Sequence, residues 1–372
     1  MLLGLLLLVL AGVLAFVAWR TVPSAITVSP ADAATIDASA AAARLGAAVR
    51  LQTVSKPPGD PIDPQAFRDL HNFLAQSYPA AHKALTREII GEYSLLYRWE
   101  GTEPNLKPIL LMGHMDVVPA PGEWTQAPFS GVIADGYVWG RGTLDDKVSV
   151  LGILEAAEHL IAAGFRPRRT AYFAFGHDEE IDGRNGARRI VAHLKQRGVR
   201  FETVLDEGSP IATGLVPGID RPVALIGMAE KGYLSIELIA RTSGGHSSMP
   251  SLHSAIMVLG RAFQRVGPET VASQLRPPMS QTLDALAPHF SFLPRLFIAN
   301  RWLTEPVLLS QLEKIPETNA MIRTTVAVTI IRAGDKDNVL PGEAHAVMNL
   351  RLLPGDTVAG QLARMRATLD GT

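Results

Sequence analysis

Cysteine is absent from the 372 residues, whereas histidine occurs ten times. No disulfide can staple the fold and no thiolate can hold a metal, so any metal site must use imidazole and carboxylate. An excess of either charge is missing too. The formal net charge is −1, with Lys, Arg, Asp and Glu mixed along the chain. That leaves no basic block of the kind that binds nucleic acid and no acidic tail. Internal repeats are lacking, and low-complexity sequence is confined to residues 1–38.

A further shortage is local. MLLGLLLLVLAGVLAFVAW, the nineteen residues before Arg20, carries no charged side chain. That length crosses a bilayer as a helix, and it is apolar on every side, unlike an ordinary core helix. Two readings stand. An uncleaved membrane anchor is favoured by the length of the run and by the lack of a preceding Lys or Arg. A cleaved signal peptide is the other, with ADAA at 31–34 as its small-residue site. Either puts the rest of the chain outside the cytoplasm, membrane-anchored or secreted. Residues 21–38, rich in Ala, Ser, Thr and Pro, form a tether.

From residue 39 the pattern is globular. ASAAARLGAAVRLQTVS is expected to be a helix ending near Pro57, and DPQAFRDLHNFLAQSYP a second one, started by Asp63–Pro64 and stopped by Pro79. LTREIIGEYSLLYRWEG reads as a hairpin broken at Gly91. PILLMGHMDVVP, DGYVWGRGTLDD, RTAYFAFGHDEE and FETVLDEG read as strands, with helices after the second and third. Such alternation predicts an α/β catalytic domain over 39–222, its mostly parallel sheet lying between helices. Beyond Pro222 a β-α-β-β-α order predicts an inserted ferredoxin-like α+β domain over 223–372, short of its last strand. Its stretch 267–320 is Pro-rich and is expected to be irregular.

Four apolar stretches end in polar pairs: His114 with Asp116, Asp145 with Asp146, Glu179 with Glu180, and Asp206 with Glu207. Singly these are common surface features, a helix N-cap or a solvated turn. In an open α/β sheet, however, the carboxyl ends of the strands form the functional crevice. Four pairs at one edge would repel one another unless a cation lay among them. Imidazole and carboxylate donors without thiolate suit Zn²⁺, and admit Mn²⁺ or Co²⁺. His114 and Asp116, two apart on a strand, share a side, so Asp116 can hold the imidazole and fix its tautomer. Asp145, at a turn into a helix, is placed to bridge two ions, and Glu180 and Asp206 can each serve one. Glu179, beside the ions and not needed as a ligand, is the natural general base. Asp178 receives no role.

In order and spacing, GHMDVVP, GRGTLDDK, GHDEE and LDEG resemble the motifs of the aminoacylase / carboxypeptidase S family of di-zinc metallopeptidases. FGHDEE and LDEGSP resemble its carboxypeptidase S and N-fatty-acyl-amino-acid hydrolase branch. The resemblance spans about residues 39–372. It implies His114 and Asp206 on one zinc, Glu180 on the other, and Asp145 bridging them. Glu207 remains the alternative to Asp206, because the family varies between Asp and Glu there. It also implies Asp116 behind His114, Glu179 as the base, and a cis peptide between Asp145 and Asp146. The second domain is then a lid or dimerisation domain of a homodimer. In it His246 of SGGHSS steadies the oxyanion, often across the dimer. Asn338 of DNVLP and Arg351 of NLRLLPG hold the substrate amide and its free carboxylate, the latter suited to the Arg fork.

The family's last zinc ligand, a His in a Gly-Thr-Asp-Ser-Arg-like loop, has no counterpart here. After His246 only His253, His289 and His345 remain, none in that context. The chain is therefore read as C-terminally truncated. Its implied reaction is metal-dependent hydrolysis of an amide next to a free carboxylate, in an N-acyl amino acid or at a peptide's C-terminal bond. The rival is an inactive relative serving as a binding protein, although such a protein has no use for Glu179 as a base. SFLPRLFIANRWL, in the 267–320 insert, is read either as an acyl groove or as a packing elaboration of the lid.

Overall fold

The structure is a computed structural model. It describes residues 2–21, 36–56, 60, 62–208, 211–214, 216–267 and 270–370. Most of the tether, including ADAA, lies outside the described residues. The chain divides into two units, one of residues 28–208 and the other of residues 1–27 together with 209–372.

Helix α1 (Leu2–Arg20) opens the chain and belongs to the second of these units. In the first unit, α2 (Ala38–Val49) is capped by Asp37 and ends well before Pro57. Asp63 accepts a hydrogen bond from the Gln65 N–H and Pro64 fills the first turn of α3 (Pro64–Ser77). Pro79, expected only to stop that helix, begins α4 (Pro79–Ala84), where the missing N–H has no helical partner to lose. Strands β1 (Thr86–Ile90) and β2 (Ser94–Trp99) form the expected antiparallel hairpin.

β3 (Ile109–His114) enters the main sheet, but β4 (Val132–Ala134) and β5 (Tyr137–Trp139) do not. They make a separate hairpin closed at Asp135 and Gly136, whose φ angles of 55° and 80° match the tight turn that suits strand twist. Asp145 and Asp146 therefore follow a turn, not a strand of the sheet, and lead into α5 (Lys147–Ala162). Then come β6 (Ala171–Gly176), α6 (Ala187–Gln196) and β7 (Thr203–Leu205).

The sheet order is β1-β2-β6-β3-β7. β3 pairs in parallel with both β6 and β7, while β2 is antiparallel to its two neighbours, so four of the five strands run one way. All six residues of β6 are buried, and its alternation serves both faces. Phe173 and Phe175 pack with Leu70, Leu74 and Leu154 from α3 and α5. Tyr172 and Ala174 pack with Ile190 and Leu194 of α6 on the other side. Burying each large side chain contributes about 1.5–3 kcal/mol, so β6 is the axis of this unit. The predicted α/β class and helix-covered sheet are what the structure shows.

In the second unit, β8 (Ile211–Ala212) pairs with β9 (Val223–Ala224) as a short ribbon. β10 (Gly232–Arg241) follows, then β11 (Gly245–His246) and α7 (Ala255–Val266). Among its described residues, the stretch expected to be irregular holds four α-helices, α8 (Met279–Leu286), α9 (Phe292–Ala299), α10 (Arg301–Leu312) and α11 (Pro316–Met321), with a 3₁₀ turn at Ala287–His289 after the first. Its prolines mostly precede helices or lie in their first turns, where they are tolerated. Pro306 alone lies inside one. β12 (Thr325–Ala333), β13 (Val339–Leu340), β14 (Glu343–Leu352) and α12 (Val358–Leu369) complete the unit. Its sheet order is β10-β14-β12, fully antiparallel. This is the strand order of a ferredoxin-like unit with three strands.

Candidate metal centre

The site grows from the end of β3. Met115 is fully buried, so its neighbours His114 and Asp116 turn the other way. The backbone of 53–55 runs beside 115–117, with Val117 N–H bonded to Thr53 O at 3.0 Å and Ser55 N–H to Val117 O at 2.9 Å. This brings the Ser55 hydroxyl to Asp116 Oδ2, at 2.5 Å. The parallel pairing of β3 with β6 sets His114 opposite Gly176. Residues 179–181, which follow β6, then form a 3₁₀ turn beside Asp116. Asp116 Oδ1 accepts from the Glu179 N–H at 3.1 Å and Oδ2 from the Glu180 N–H at 3.2 Å. One buried carboxylate thus fixes the backbone of both glutamates.

The Asp145–Asp146 peptide is cis, as the family resemblance implied. Asp146 points inward, where Oδ2 accepts from the His114 N–H at 3.1 Å and Oδ1 accepts from the Ser149 hydroxyl. Gly113 makes room for it, since a Cβ there would stand 2.7 Å from Asp146 Oδ2. Asp145 points outward, 65% exposed, with Oδ1 2.8 Å from His114 Nε2. Behind them Lys147 is wholly buried and donates to Ala48 O at 2.9 Å and Leu51 O at 2.5 Å, locking the end of α2 to the start of α5.

His114, Asp145 and Glu180 each offer one ligand atom, and these three atoms lie within 4.8 Å of one another. The Nδ1 side of His114 faces the Asp116 backbone oxygen at 3.0 Å and its carboxylate at 3.4 Å, which leaves Nε2 toward the cluster. Glu179 Oε2 lies 3.8 Å from that Nε2 and Glu207 Oε1 3.9 Å. Asp206 Oδ1 instead accepts from the Glu207 N–H at 3.0 Å. Of the two LDEG carboxylates, Glu207 is the one beside His114 here.

The electrostatics match the chemistry of a cation site. Burial alone would pull His114 down, but its hydrogen bond to Asp116 and the charges of Asp116, Asp146 and Glu179 raise it to about 10. Burial raises Asp146 to about 6, with the Ser149 and His114 contacts opposing. Glu179 and Glu180 are pushed up, first by burial and then by neighbouring carboxylates, with His114 opposing. A proton is held where negative charge converges, and a divalent ion answers the same charge. Imidazole, carboxylates and a supported histidine fit such an ion.

Several contributors had no sequence signal. Asp178 accepts from the Asn185 and Gly186 N–H groups at 2.7 and 2.8 Å, which fixes the loop into α6. His177 is buried, its Nδ1 2.6 Å from the Ser94 hydroxyl, and is a core histidine. Ser55 and Ser149 could be found only by knowing which carboxylates they face.

The remaining candidates lie in the second unit. His246 sits on β11, which pairs with β13, and the Ser247 N–H bonds to Asn338 O at 3.1 Å, so His246 and Asn338 share one exposed ribbon. His246 Nδ1 contacts the Ser248 hydroxyl at 2.8 Å. Arg351, on the central strand β14, stacks its guanidinium over the Tyr233 ring, 4.6 Å from the centroid.

A family model described as Peptidase family M20/M25/M40 matches residues 110–334, more than half of the chain. The chain belongs to this family. Among its M20 relatives, "Probable carboxypeptidase S-like 2" of Dictyostelium discoideum is 44% identical over 322 residues, covering 85% of this chain and 62% of the relative. "N-fatty-acyl-amino acid synthase/hydrolase PM20D1" of Xenopus tropicalis is 40% identical over 329 residues, covering 87% of this chain and 64% of the relative. The chain thus spans somewhat under two thirds of the length of these curated M20 relatives. In fold it is similar to an M20 family metallo-carboxypeptidase, Sso-CP2 of Sulfolobus solfataricus. There the TM-score is 0.58 at 19% identity, over 89% of this chain and 75% of that one.

Proposed function

We propose that the protein belongs to a zinc-dependent amidohydrolase that cleaves an amide next to a free carboxylate, in an N-acyl amino acid or at a peptide's C-terminal bond. The observation that carries this reading is the convergence of His114, Asp145 and Glu180 on one point, with Glu179 alongside. His114 and Asp206 would hold one ion and Glu180 the other, with Asp145 between them; Glu207 is the alternative to Asp206, favoured by its approach to His114. A bound divalent metal supplies Lewis acidity toward a carbonyl and makes water easier to deprotonate. Glu179 takes the proton of the attacking water and delivers it to the leaving amine. Asp116 orients His114 and, through two backbone N–H groups, holds Glu179 and Glu180 at the right height. His246 steadies the developing oxyanion, Asn338 the amide, and Arg351 the substrate carboxylate, in a homodimer joined through the second unit.

α1 is long and apolar enough to cross a membrane, and we assign it as a retained anchor, with the remainder outside the cytoplasm. Its packing supports this. Ala18 is fully buried and the Asn300 side chain donates to Leu14 O at 3.0 Å, contacts that a cleaved leader would not keep.

Metal analysis of the purified protein beside Glu179→Gln tests the reading. Zinc bound in both, with whatever amide hydrolysis the parent shows lost in Glu179→Gln, is the expected result. Protein that binds no zinc would sink it.

A further inference from the structure

The proposed chemistry does not use the helices between α7 and β12. α9 turns one side to α1. Asn300, just past its end, is completely buried, and Nδ2 donates both to Leu14 O at 3.0 Å and to Leu296 O at 2.8 Å. Arg295 Nη1 reaches Thr21 O at 3.4 Å. α9 therefore lies along the last two turns of α1, with Arg295 level with Thr21 and Asn300 level with Leu14. At a rise of 1.5 Å per residue these levels are about 10 Å apart along the helix axis.

The other side of this segment is apolar and open. Leu293 is 62% and Trp302 68% exposed, with Phe292, Leu303 and Val307 exposed beside them. The charge nearest the α9–α10 corner is answered, since Arg301 Nη2 is 2.8 Å from Asp284 Oδ2. On α1 itself, Leu2, Leu3 and Leu5 through Val9 are exposed as well. Phe16 and Trp19, on the stretch of α1 that α9 meets, are exposed too, so both the anchor and the insert carry open apolar side chains, and such patches mark interaction surfaces.

We infer that α9 and the start of α10 are a membrane-dipping collar around the exit of α1, covered by the acyl chains of the bilayer. The inference rests on α1 being a retained anchor. With α1 across the bilayer and Thr21 at its surface, Asn300 lies about 10 Å down, within the ~5–10 Å to which interfacial helices sink. Trp302, next to Asn300, then meets lipid below the surface, and Phe292 and Leu293 lie near the level of Thr21, where aromatic belts form. The Asn300 amide has both N–H bonds supplied by α1 and α9, while its buried Oδ1 has no partner.

The absence of cysteine makes the test direct. Phe16→Cys, Leu293→Cys and Trp302→Cys, each in the full chain, are labelled with an environment-sensitive fluorophore and reconstituted in phosphatidylcholine vesicles. Lipid spin-labelled near the top of the acyl chain is then added, and aqueous iodide separately. The expected result is that labels at 293 and 302 lose as much emission to the lipid quencher as the label at 16, and little to iodide. Quenching at 16 with iodide quenching at 293 and 302 leaves the anchor standing and overturns the collar. Labels at 293 and 302 shielded from both quenchers put a second copy of the chain on this face, and overturn it too. No lipid quenching at 16 removes the anchor and the collar with it.

Discussion

Asp116→Asn is the sharpest probe of how the centre is held. The change keeps shape and removes one acceptor. Oδ1 serves the Glu179 N–H and faces His114 Nδ1, so the amide oxygen belongs on that side. The amide nitrogen then replaces Oδ2, where the Ser55 hydroxyl can rotate to accept but the Glu180 N–H can only donate. One N–H loses its partner beside a fully buried side chain, at a cost of about 1–3 kcal/mol. With a urea slope of about 2 kcal/mol per molar, the unfolding midpoint of metal-free protein should fall by about 1 M. Because Glu180 is also the proposed ligand on that turn, metal affinity should drop roughly 10–100-fold, as when a supporting partner of a ligand is lost. Burial alone would raise the Asp116 carboxyl, but the contacts with His114, Ser55 and the Glu179 N–H hold it below the ordinary 3.8. Its stabilisation is therefore present above 3.8 and lost as pH falls, so parent and variant should converge in acid. Coincident midpoints at neutral pH, with unchanged metal affinity by calorimetry, would refute the reasoning.

Gly113→Ala should cost about 1–3 kcal/mol by driving Asp146 off His114, whereas Gly152→Ala, in α5 with open space around it, should gain roughly 0.5–1 kcal/mol; urea midpoints of the pair decide. Burial lowers Lys147 from 10.5 to about 7, the Asp116 charge resisting. The unfolded chain then holds a proton that the folded chain releases, so stability rises with pH between those limits. Relative to Lys147→Met, the parent should gain about 1.4 kcal/mol per pH unit above 7, and a constant difference would contradict this. His71 and His82 are lowered from 6.5, chiefly by burial. His82 lies between Tyr78 O, 2.9 Å from Nδ1, and the Tyr97 hydroxyl, 2.9 Å from Nε2. Their stabilisation is present above 6.5 and lost as pH falls, so the urea midpoint should drop in mild acid, and drop less in His71→Gln.

The legible parts of this chain were those in which one residue's chemistry decides its place. AYFAFG can only be a buried strand, and GHMD, LDD and HDEE announce themselves as polar pairs at the ends of apolar runs. What stayed hidden depends on partners far along the chain. Nothing in HDEE says that Asp178 turns away to hold Asn185 and Gly186 while Asp116, 63 residues before Glu179, orders the two glutamates. Nothing in GRGTLDDK marks Lys147 as buried, and its burial becomes visible only when α2 ends above it. The prolines of 267–320 suggested disorder of pattern because their number was plain and their positions at helix starts were not. YVW has strand character, and strand character does not say which sheet a strand joins.

The pairing of β3 between β6 and β7 also sets a time order. Ser55 meets Asp116 across 61 residues and Asp116 meets the Glu180 N–H across 64, so these contacts close long loops and parallel strands must already be in register. No fragment emerging early from synthesis contains the centre. The centre can therefore form only after the strands that carry it have paired, so its carboxylates stay apart until the first unit is built.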